Sequence, residues 1–103
     1  MAHYMIGLMH VTNPNGMEEY VRRVGPTVRQ YGGEFVFEGS VVDVVEGPLQ
    51  AHGGAVIRFA DAEAAMAWFE SPEYAELKRM RAPLGEAHHV LMRGIEPGET
   101  HDH

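Results

Sequence analysis

The chain has 103 residues, and its 8 Lys and Arg against 15 Asp and Glu give a formal net charge of −7 with neutral histidines. This length fits one domain with a single hydrophobic core and excludes two domains. The acidic excess has no basic cluster to offset it, and no apolar run approaches the roughly 18 residues of a membrane span, so we expect neither a nucleic-acid nor a membrane partner.

The N-terminal residues run directly into the first predicted strand. No basic segment or cleavage signature precedes it, so we expect a protein that stays in the cytoplasm. Residues 4–11 are apolar at both odd and even positions, which is typical of a strand covered on both faces. We expect a single domain over residues 1–96, followed by a polar tail over residues 97–103.

A cluster of Asn, Pro and Gly residues precedes the first predicted helix. Asn15 stands three residues before Glu18, as in a capping box that satisfies free helix N–H groups. One apolar stripe then recurs at helical spacing, formed by Met17, Tyr20, Val21, Val24, Val28 and Tyr31. We expect Pro26 to kink this helix and Gly32–Gly33 to end it, because glycine readily adopts the left-handed cap conformation.

Two strands joined by a loop follow the first helix. Residues 34–38 alternate between polar and apolar, and residues 41–45 continue as a strand past Gly39–Ser40, which we interpret as a bulge. The second strand is therefore predicted to be long and bent. Glycine and proline residues mark a hairpin loop, after which residues 55–59 form the third strand.

The last third of the chain predicts a second helical segment and a final strand. Asp61 caps the helix, and Ser71 begins a further helical stretch with Pro72 at its first position. Residues 87–92 form the fourth strand. The order βαββαβ indicates an α+β, ferredoxin-like fold, in which a four-stranded antiparallel sheet carries its helices on one face.

The predicted helices cover only one face of this sheet. The first and fourth strands, and less clearly the third, are apolar on both faces, so the uncovered face would leave an apolar patch too large for a stable monomer. We therefore expect a homodimer in which two identical sheets pack against each other about a two-fold axis.

Several residue groups resemble domain-of-unknown-function family 1330. The most specific is the block from Trp68 to Tyr74, and the others are Thr12-Asn13-Pro14, Tyr31-Gly32-Gly33, Glu46-Gly47 and Phe59 followed by Glu63-Ala64-Ala65. The likeness runs from about Tyr4 to Ile95. The resemblance implies a dimeric α+β barrel, a superfamily that includes cofactor-independent monooxygenases, muconolactone isomerase-like enzymes and stress-response proteins. These relatives keep small ligands between sheet and helices.

Histidine is the remaining residue type suited to chemistry, because cysteine is absent. The first and fourth strands of this fold are antiparallel neighbours, and pairing about their centres places His10 opposite His88. A one-residue slip would substitute His89 on the other face. Such a pair can share a proton or supply a base near neutral pH, and the alternative is two half-exposed strand-end histidines. Two histidines supply half of a zinc tetrahedron, so we expect no intrinsic metal.

Glu38 is the third candidate catalytic residue. Strand alternation places it on the face of Glu34 and Val36, opposite Phe35. If that face lies in the dimer, desolvation would raise the pKa of Glu38 and suit it to acid or base catalysis, whereas the alternative is simple solvent exposure. Arg58 could pair with Glu38 across the hairpin or bind a ligand carboxylate.

The sequence leaves two functions open. No glycine-rich phosphate loop, nucleophile elbow or calcium loop is present, so we expect no cofactor. One function is a cofactor-free enzyme, monooxygenase- or isomerase-like, that acts on a small organic molecule through His10, Glu38 or His88. The other is a non-catalytic small-ligand-binding or stress-associated dimer. A bounded cavity that touches these residues would favour the enzyme.

Overall fold

The computed structural model describes residues 2–95, so the tail predicted at 97–103 lies outside the described residues. A 3₁₀ turn over Ala82–Leu84 joins the last helix to the last strand. The helices and strands are, in chain order, β1 (His3–Val11), α1 (Met17–Gln30), β2 (Glu34–Ser40), β3 (Gly53–Phe59), α2 (Ala62–Phe69), α3 (Pro72–Arg81) and β4 (Gly85–Arg93). Among these residues, no helix is long and apolar enough to cross a bilayer.

The four strands form one antiparallel sheet in the order β2-β3-β1-β4, which confirms the predicted ferredoxin-like α+β fold. The second predicted helical segment is two helices, α2 and α3, separated by Glu70 and Ser71. The helices pack on one face of the sheet, which we call the inner face. The opposite, outer face has no helix against it within residues 2–95.

The hydrophobic core lies between the inner face and the helices. Its largest buried side chains come from β3 and from all three helices: Phe59, Val28, Trp68, Tyr74 and Leu77. The indole N–H of Trp68 donates to the hydroxyl of Thr27 at 3.0 Å, so the one polar atom of this ring is satisfied inside the core. This packing holds α1 and α3 over the sheet.

Two of the three predicted helix caps are confirmed. The Asp61 carboxylate accepts from the Ala64 N–H at 2.8 Å, and the Ser71 hydroxyl oxygen accepts from the Tyr74 N–H at 3.1 Å. The capping box at Asn15 is wrong, because α1 begins after Gly16 and no side chain caps it. The backbone N–H of Asn15 donates instead to the Asn13 side chain, a local turn that competes with the cap.

The end of α1 is also as predicted. The helix continues through Pro26 to Gln30, and Gly32 then adopts a left-handed conformation with φ of 81°. The Gly33 N–H donates back to the Val28 carbonyl at 3.0 Å. Glycine is needed at position 32 because a β-carbon is disfavoured in this conformation.

The prediction that the second strand continues over residues 41–45 is wrong. Ser40 pairs with Gly53, the first residue of β3, so residues 41–45 have no remaining partner strand and form no ladder. Val42 is 98 % exposed as a result. The bulge also lies elsewhere than predicted, since the register with β3 shifts between Phe35 and Phe37. This shift moves every later residue of β2 to the opposite face.

Candidate functional site

A cavity of about 300 Å³ lies between the inner face and the helices. Its floor is the sheet, where several side chains are small or absent: Gly7, Gly53, Ala55 and Ala87. Side chains of α1 and α3 form the roof, among them Tyr20, Val24, Tyr74 and Arg81. Small floor residues leave volume that larger side chains would fill, and a cavity of this size is suited to a small organic molecule.

Glu38, Ala55, Gly7 and His89 lie directly opposite one another in a single row across the cavity floor. Glu38 is at one edge of the sheet and His89 at the other, three strand spacings or roughly 14 Å apart along the backbone. The imidazole lies over Gly7, because a β-carbon there would be 3.0 Å from its Nε2. Glu38 is exposed at the cavity edge.

His89 is the histidine that lines the cavity. Its ring packs beside Phe69 and Tyr74, with centroid separations of 5.1 and 6.4 Å. Burial, together with the nearby positive charges of Arg81 and Lys78, lowers the pKa of His89 to about 4. The imidazole is therefore neutral near pH 7, with a nitrogen able to accept a hydrogen bond or a proton.

Two tyrosine hydroxyls meet over the cavity. The Tyr20 and Tyr74 oxygens are 3.1 Å apart, and one hydroxyl donates to the other. Burial raises the pKa of Tyr20 well above its ordinary value, the neighbouring Tyr74 adds to the rise, and Arg81 partly opposes it. The hydrogen bond between the two oxygens uses only one of their two hydroxyl hydrogens. The pair therefore retains one hydrogen to donate.

Arg81 brings a positive charge to the same cavity. Its guanidinium carbon is 6.0 Å from the centre of the Tyr74 ring. The side-chain Nε is buried and has no hydrogen-bond partner among the described residues. A buried donor without a partner is costly, because it has lost its water and gained nothing in return. The Nε of Arg81 is therefore a donor whose hydrogen-bonding capacity is unused, although the guanidinium also interacts with the Tyr20 hydroxyl.

The predicted direct pairing of His10 with His88 is wrong. His10 lies opposite Glu86, and His88 lies opposite Leu8. The reason is that β4 begins two residues earlier than predicted, at Gly85, which moves the centre of the strand pair. The two histidines share the outer face as diagonal neighbours, and neither lines the cavity.

Other side chains surround these outer-face histidines. The His10 ring stacks on that of His52, with centroids 5.0 Å apart, and His52 Nδ1 accepts from the Val11 N–H at 2.8 Å. His88 lines a separate hollow with Glu86 and loop residues 48–50. Within residues 2–95, no three His, Asp or Glu side chains are grouped so that they could hold a metal ion.

The bulge in β2 changes the partners predicted for Glu38 and Arg58. Glu38 shares the inner face with Phe35, whereas it was predicted on the opposite face from that residue. Arg58 pairs with Glu34 and not with Glu38, through an Nη1 to Oε1 contact of 3.2 Å on the outer face. Both side chains of this pair are more than half exposed, so the interaction contributes little to stability.

Sequence reasoning missed part of this cavity. His89 entered only as the product of a one-residue slip, because the choice between adjacent histidines depends on register. Arg81 was not singled out, since it follows Lys78 and Arg79 at a helix C-terminus, where basic residues ordinarily complement the helix dipole. The three-residue spacing from Lys78 to Arg81 is a weak signal that both lie on one side of α3.

Comparison with known proteins identifies a family model and a fold. The model of DUF1330, a domain of unknown function, matches residues 2–95. No curated protein matches the chain. A solved protein of unknown function from Rhodopseudomonas palustris is 19 % identical with a TM-score of 0.72, and the alignment covers 93 % of this chain and 84 % of that one.

Two further solved structures are similar. A dimeric ferredoxin-like protein of unknown function from Jannaschia sp. is 15 % identical, with a TM-score of 0.74 over 91 % of this chain and all of that one (100 %). A variant of SnoaB, a cofactor-independent oxygenase from Streptomyces nogalater, is 14 % identical, with a TM-score of 0.69 over 96 % and 98 % of the two chains. These likenesses show a shared fold.

Proposed function

Because this chain belongs to the DUF1330 family and shares its fold with a cofactor-independent oxygenase, we propose that it is a cofactor-free enzyme acting on a small organic molecule. The observation that carries the proposal is the convergence of His89 and the Tyr20–Tyr74 hydroxyl pair on one cavity of about 300 Å³. An acceptor and a donor there face a largely apolar space, the arrangement that orients a small ligand.

The chemistry we assign to these groups is proton abstraction. The neutral His89 imidazole accepts a proton from a C–H or O–H bond of the ligand, and the electron pair stays on the ligand. A tyrosine hydroxyl donates to the oxygen on which negative charge develops. That charge also raises the proton affinity of His89 in the complex, because it offsets the positive charges of Arg81 and Lys78, which add to burial in lowering the pKa of this residue. Return of the proton at another atom gives an isomer.

The second candidate is a non-catalytic small-ligand-binding dimer. A pKa of about 4 makes His89 a weak base, whereas general bases are most effective when their pKa lies near the working pH. The same cavity would then bind a ligand without turning it over. The catalytic roles predicted for His10, Glu38 and His88 remain proposals beside the role of His89, and Glu38 is the one of the three that touches the cavity.

We further propose that the protein is a homodimer built through its outer face. One ladder row there is continuously apolar across all four strands: Phe37, Val56, Ile6 and Val90. Phe37 is 64 % exposed and Val90 is 54 % exposed in the single chain. An identical sheet would cover this row, and the similar protein from Jannaschia sp. is dimeric.

The test is a ligand screen followed by substitution of the competing bases. Small aromatic, quinol and lactone compounds are screened by thermal shift, and each hit is followed by NMR in deuterated water for isomerisation or for exchange of its acidic C–H. We expect His89→Asn to slow the reaction at least about 100-fold, as loss of a general base does.

Three outcomes of this screen contradict parts of the proposal. Unchanged turnover in His89→Asn, with loss in His88→Asn or Glu38→Gln, would transfer the role of base to the other residue. Hits that bind without any turnover or exchange would establish the non-catalytic dimer. If no compound shifts the melting temperature, the ligand-binding function itself is wrong.

A further inference from the structure

Arg81 is the unexplained group of the cavity. The ion pairs of the described residues join Arg22 to Glu19, Arg23 to Glu76 and Arg58 to Glu34, and none of them involves Arg81. Among residues 2–95, Glu38 is the only carboxylate on the cavity lining, and it lies at the opposite edge of the floor from His89. The guanidinium is thus a cation beside a largely apolar space, and no carboxylate of residues 2–95 forms an ion pair with it.

The other basic residues of α3 are placed differently. The Lys78 ammonium lies 3.7 Å from the centre of the Phe69 ring, where a cation–π interaction stabilises it. Arg79 is exposed to solvent. Arg81 alone of the three lines the cavity, with a buried Nε that has no partner among residues 2–95. A cation kept partly out of water without a counter-charge is costly, unless a ligand supplies that charge.

The neighbours of Arg81 on the cavity lining are a hydrogen-bond donor and a neutral acceptor, and neither carries a negative charge. The Tyr20–Tyr74 pair retains a hydroxyl hydrogen, and the neutral His89 is the nearby acceptor. Oxygen atoms bearing negative charge are the natural partner of a guanidinium, because they accept its N–H groups and neutralise its charge together.

We propose that the cavity takes a small apolar molecule that carries a carboxylate, and that Arg81 anchors this carboxylate through Nε and the adjacent guanidinium N–H groups. This inference rests on the proposed function and specifies its substrate class. Arg81 acts as a binding residue that fixes the orientation of the ligand, while His89 and the tyrosine pair face the rest of it. The Gly7, Ala55 and Ala87 floor accommodates the apolar part.

A pair of matched probes tests the inference on the full chain. Isothermal titration at pH 7 compares 2-naphthoate with 2-naphthamide, which have the same ring and differ in the charge of one substituent. We expect the wild-type protein to bind the carboxylate at least about tenfold more tightly, as charge-assisted hydrogen bonds imply. Arg81→Met should abolish that preference and leave the affinity for the amide within about threefold, which also shows that the variant is folded.

Arg79→Met is the matched control, because it removes an exposed guanidinium from the same helix turn. It should retain the preference for the carboxylate. Equal affinities of the wild-type protein for the two probes would overturn the inference and leave the proposed function intact. The same conclusion follows if Arg81→Met keeps the preference or if Arg79→Met loses it equally. Binding of neither probe would count against both the carboxylate anchor and the proposed function.

Discussion

The inner and outer faces of the sheet carry alternate residues of the same strands, yet they differ in what they require. On the inner face, Met5 and Ile57 are 2 % and 5 % exposed because α1, α2 and α3 cover them. On the outer face, Phe37 and Val90 are more than half exposed. The helices cover the inner face within one chain, whereas the apolar row of the outer face is left exposed, as expected of the interface in the proposed dimer.

The two faces also differ in the surroundings that they give to two consecutive histidines. His88 is exposed on the outer face, and His89 is half-buried on the inner face against Phe69 and Tyr74. His89 lines the cavity and has a pKa lowered to about 4, whereas His88 does not line the cavity. Adjacent residues of the same type thus acquire different chemistry from strand alternation alone.

The largest expected effect comes from placing a charge on the outer face. Val90→Asp should weaken the proposed dimer at least about 100-fold, because it loses apolar burial and leaves an unpaired carboxylate in the interface. Light scattering at micromolar concentration should give twice 11.4 kDa for the wild-type protein and 11.4 kDa for the variant. Ala67→Asp, an exposed position on α2, is the control and should stay dimeric.

A wild-type monomer at that concentration would refute the proposal that the outer face is a dimer interface. The apolar row would then be tolerated in water without a partner. A dimer that survives Val90→Asp while Ala67→Asp breaks it would place the interface on the helices.

The second prediction concerns acid sensitivity on the inner face. The pKa of His89 is lowered from its ordinary value of 6.5 to about 4, so the unfolded chain binds this proton more readily than the folded chain. The contribution of His89 to stability is therefore complete above about pH 6.5 and is lost as the pH falls toward 4. Chemical denaturation at a series of pH values should show a smaller loss in His89→Asn than in the wild-type protein.

His88→Asn is the control for this experiment. Its exposed imidazole has no comparable burial, so its stability profile should follow that of the wild-type protein across the same range. If His89→Asn and the wild-type protein lose stability in parallel, the imidazole is not held neutral by its surroundings. Its assignment as the hydrogen-bond acceptor of the cavity would then be wrong.

Local signals in the sequence were sufficient for the elements and their order. Asp61 and Ser71 cap their helices as predicted, because a cap depends on residues within one turn. Gly32 ends α1 for the same kind of reason. The capping box at Asn15 failed because an equally local interaction, the turn made with Asn13, competes for the same segment.

The site depended on information that no single segment contains. The length of β3 determines where β2 stops, and the bulge at Phe35–Phe37 determines which face Glu38 occupies. The start of β4 at Gly85 determines whether His10 meets His88 or Glu86. A displacement of one or two residues is within the error of any assignment from sequence. In a strand, a one-residue displacement changes both partner and face, and a two-residue displacement changes the partner.

The smallest expected effect on stability is at the exposed candidates. Glu38 is solvent-exposed, and His10 lies near the end of β1 outside the core, so Glu38→Ala and His10→Ala should each change the free energy of unfolding by no more than about 0.5 kcal/mol. Denaturant titration measures this change, and the turnover of any compound found in the screen is measured on the same preparations. A stable variant with lost turnover identifies a catalytic group, since folding is then excluded as the cause.

Glu38 is the sharper case, because it shares the cavity floor with His89 and can reach only the far end of a bound ligand. Unchanged turnover in Glu38→Ala, His10→Ala and His88→Ala together would remove all three from the site and leave the inner-face histidine as its base.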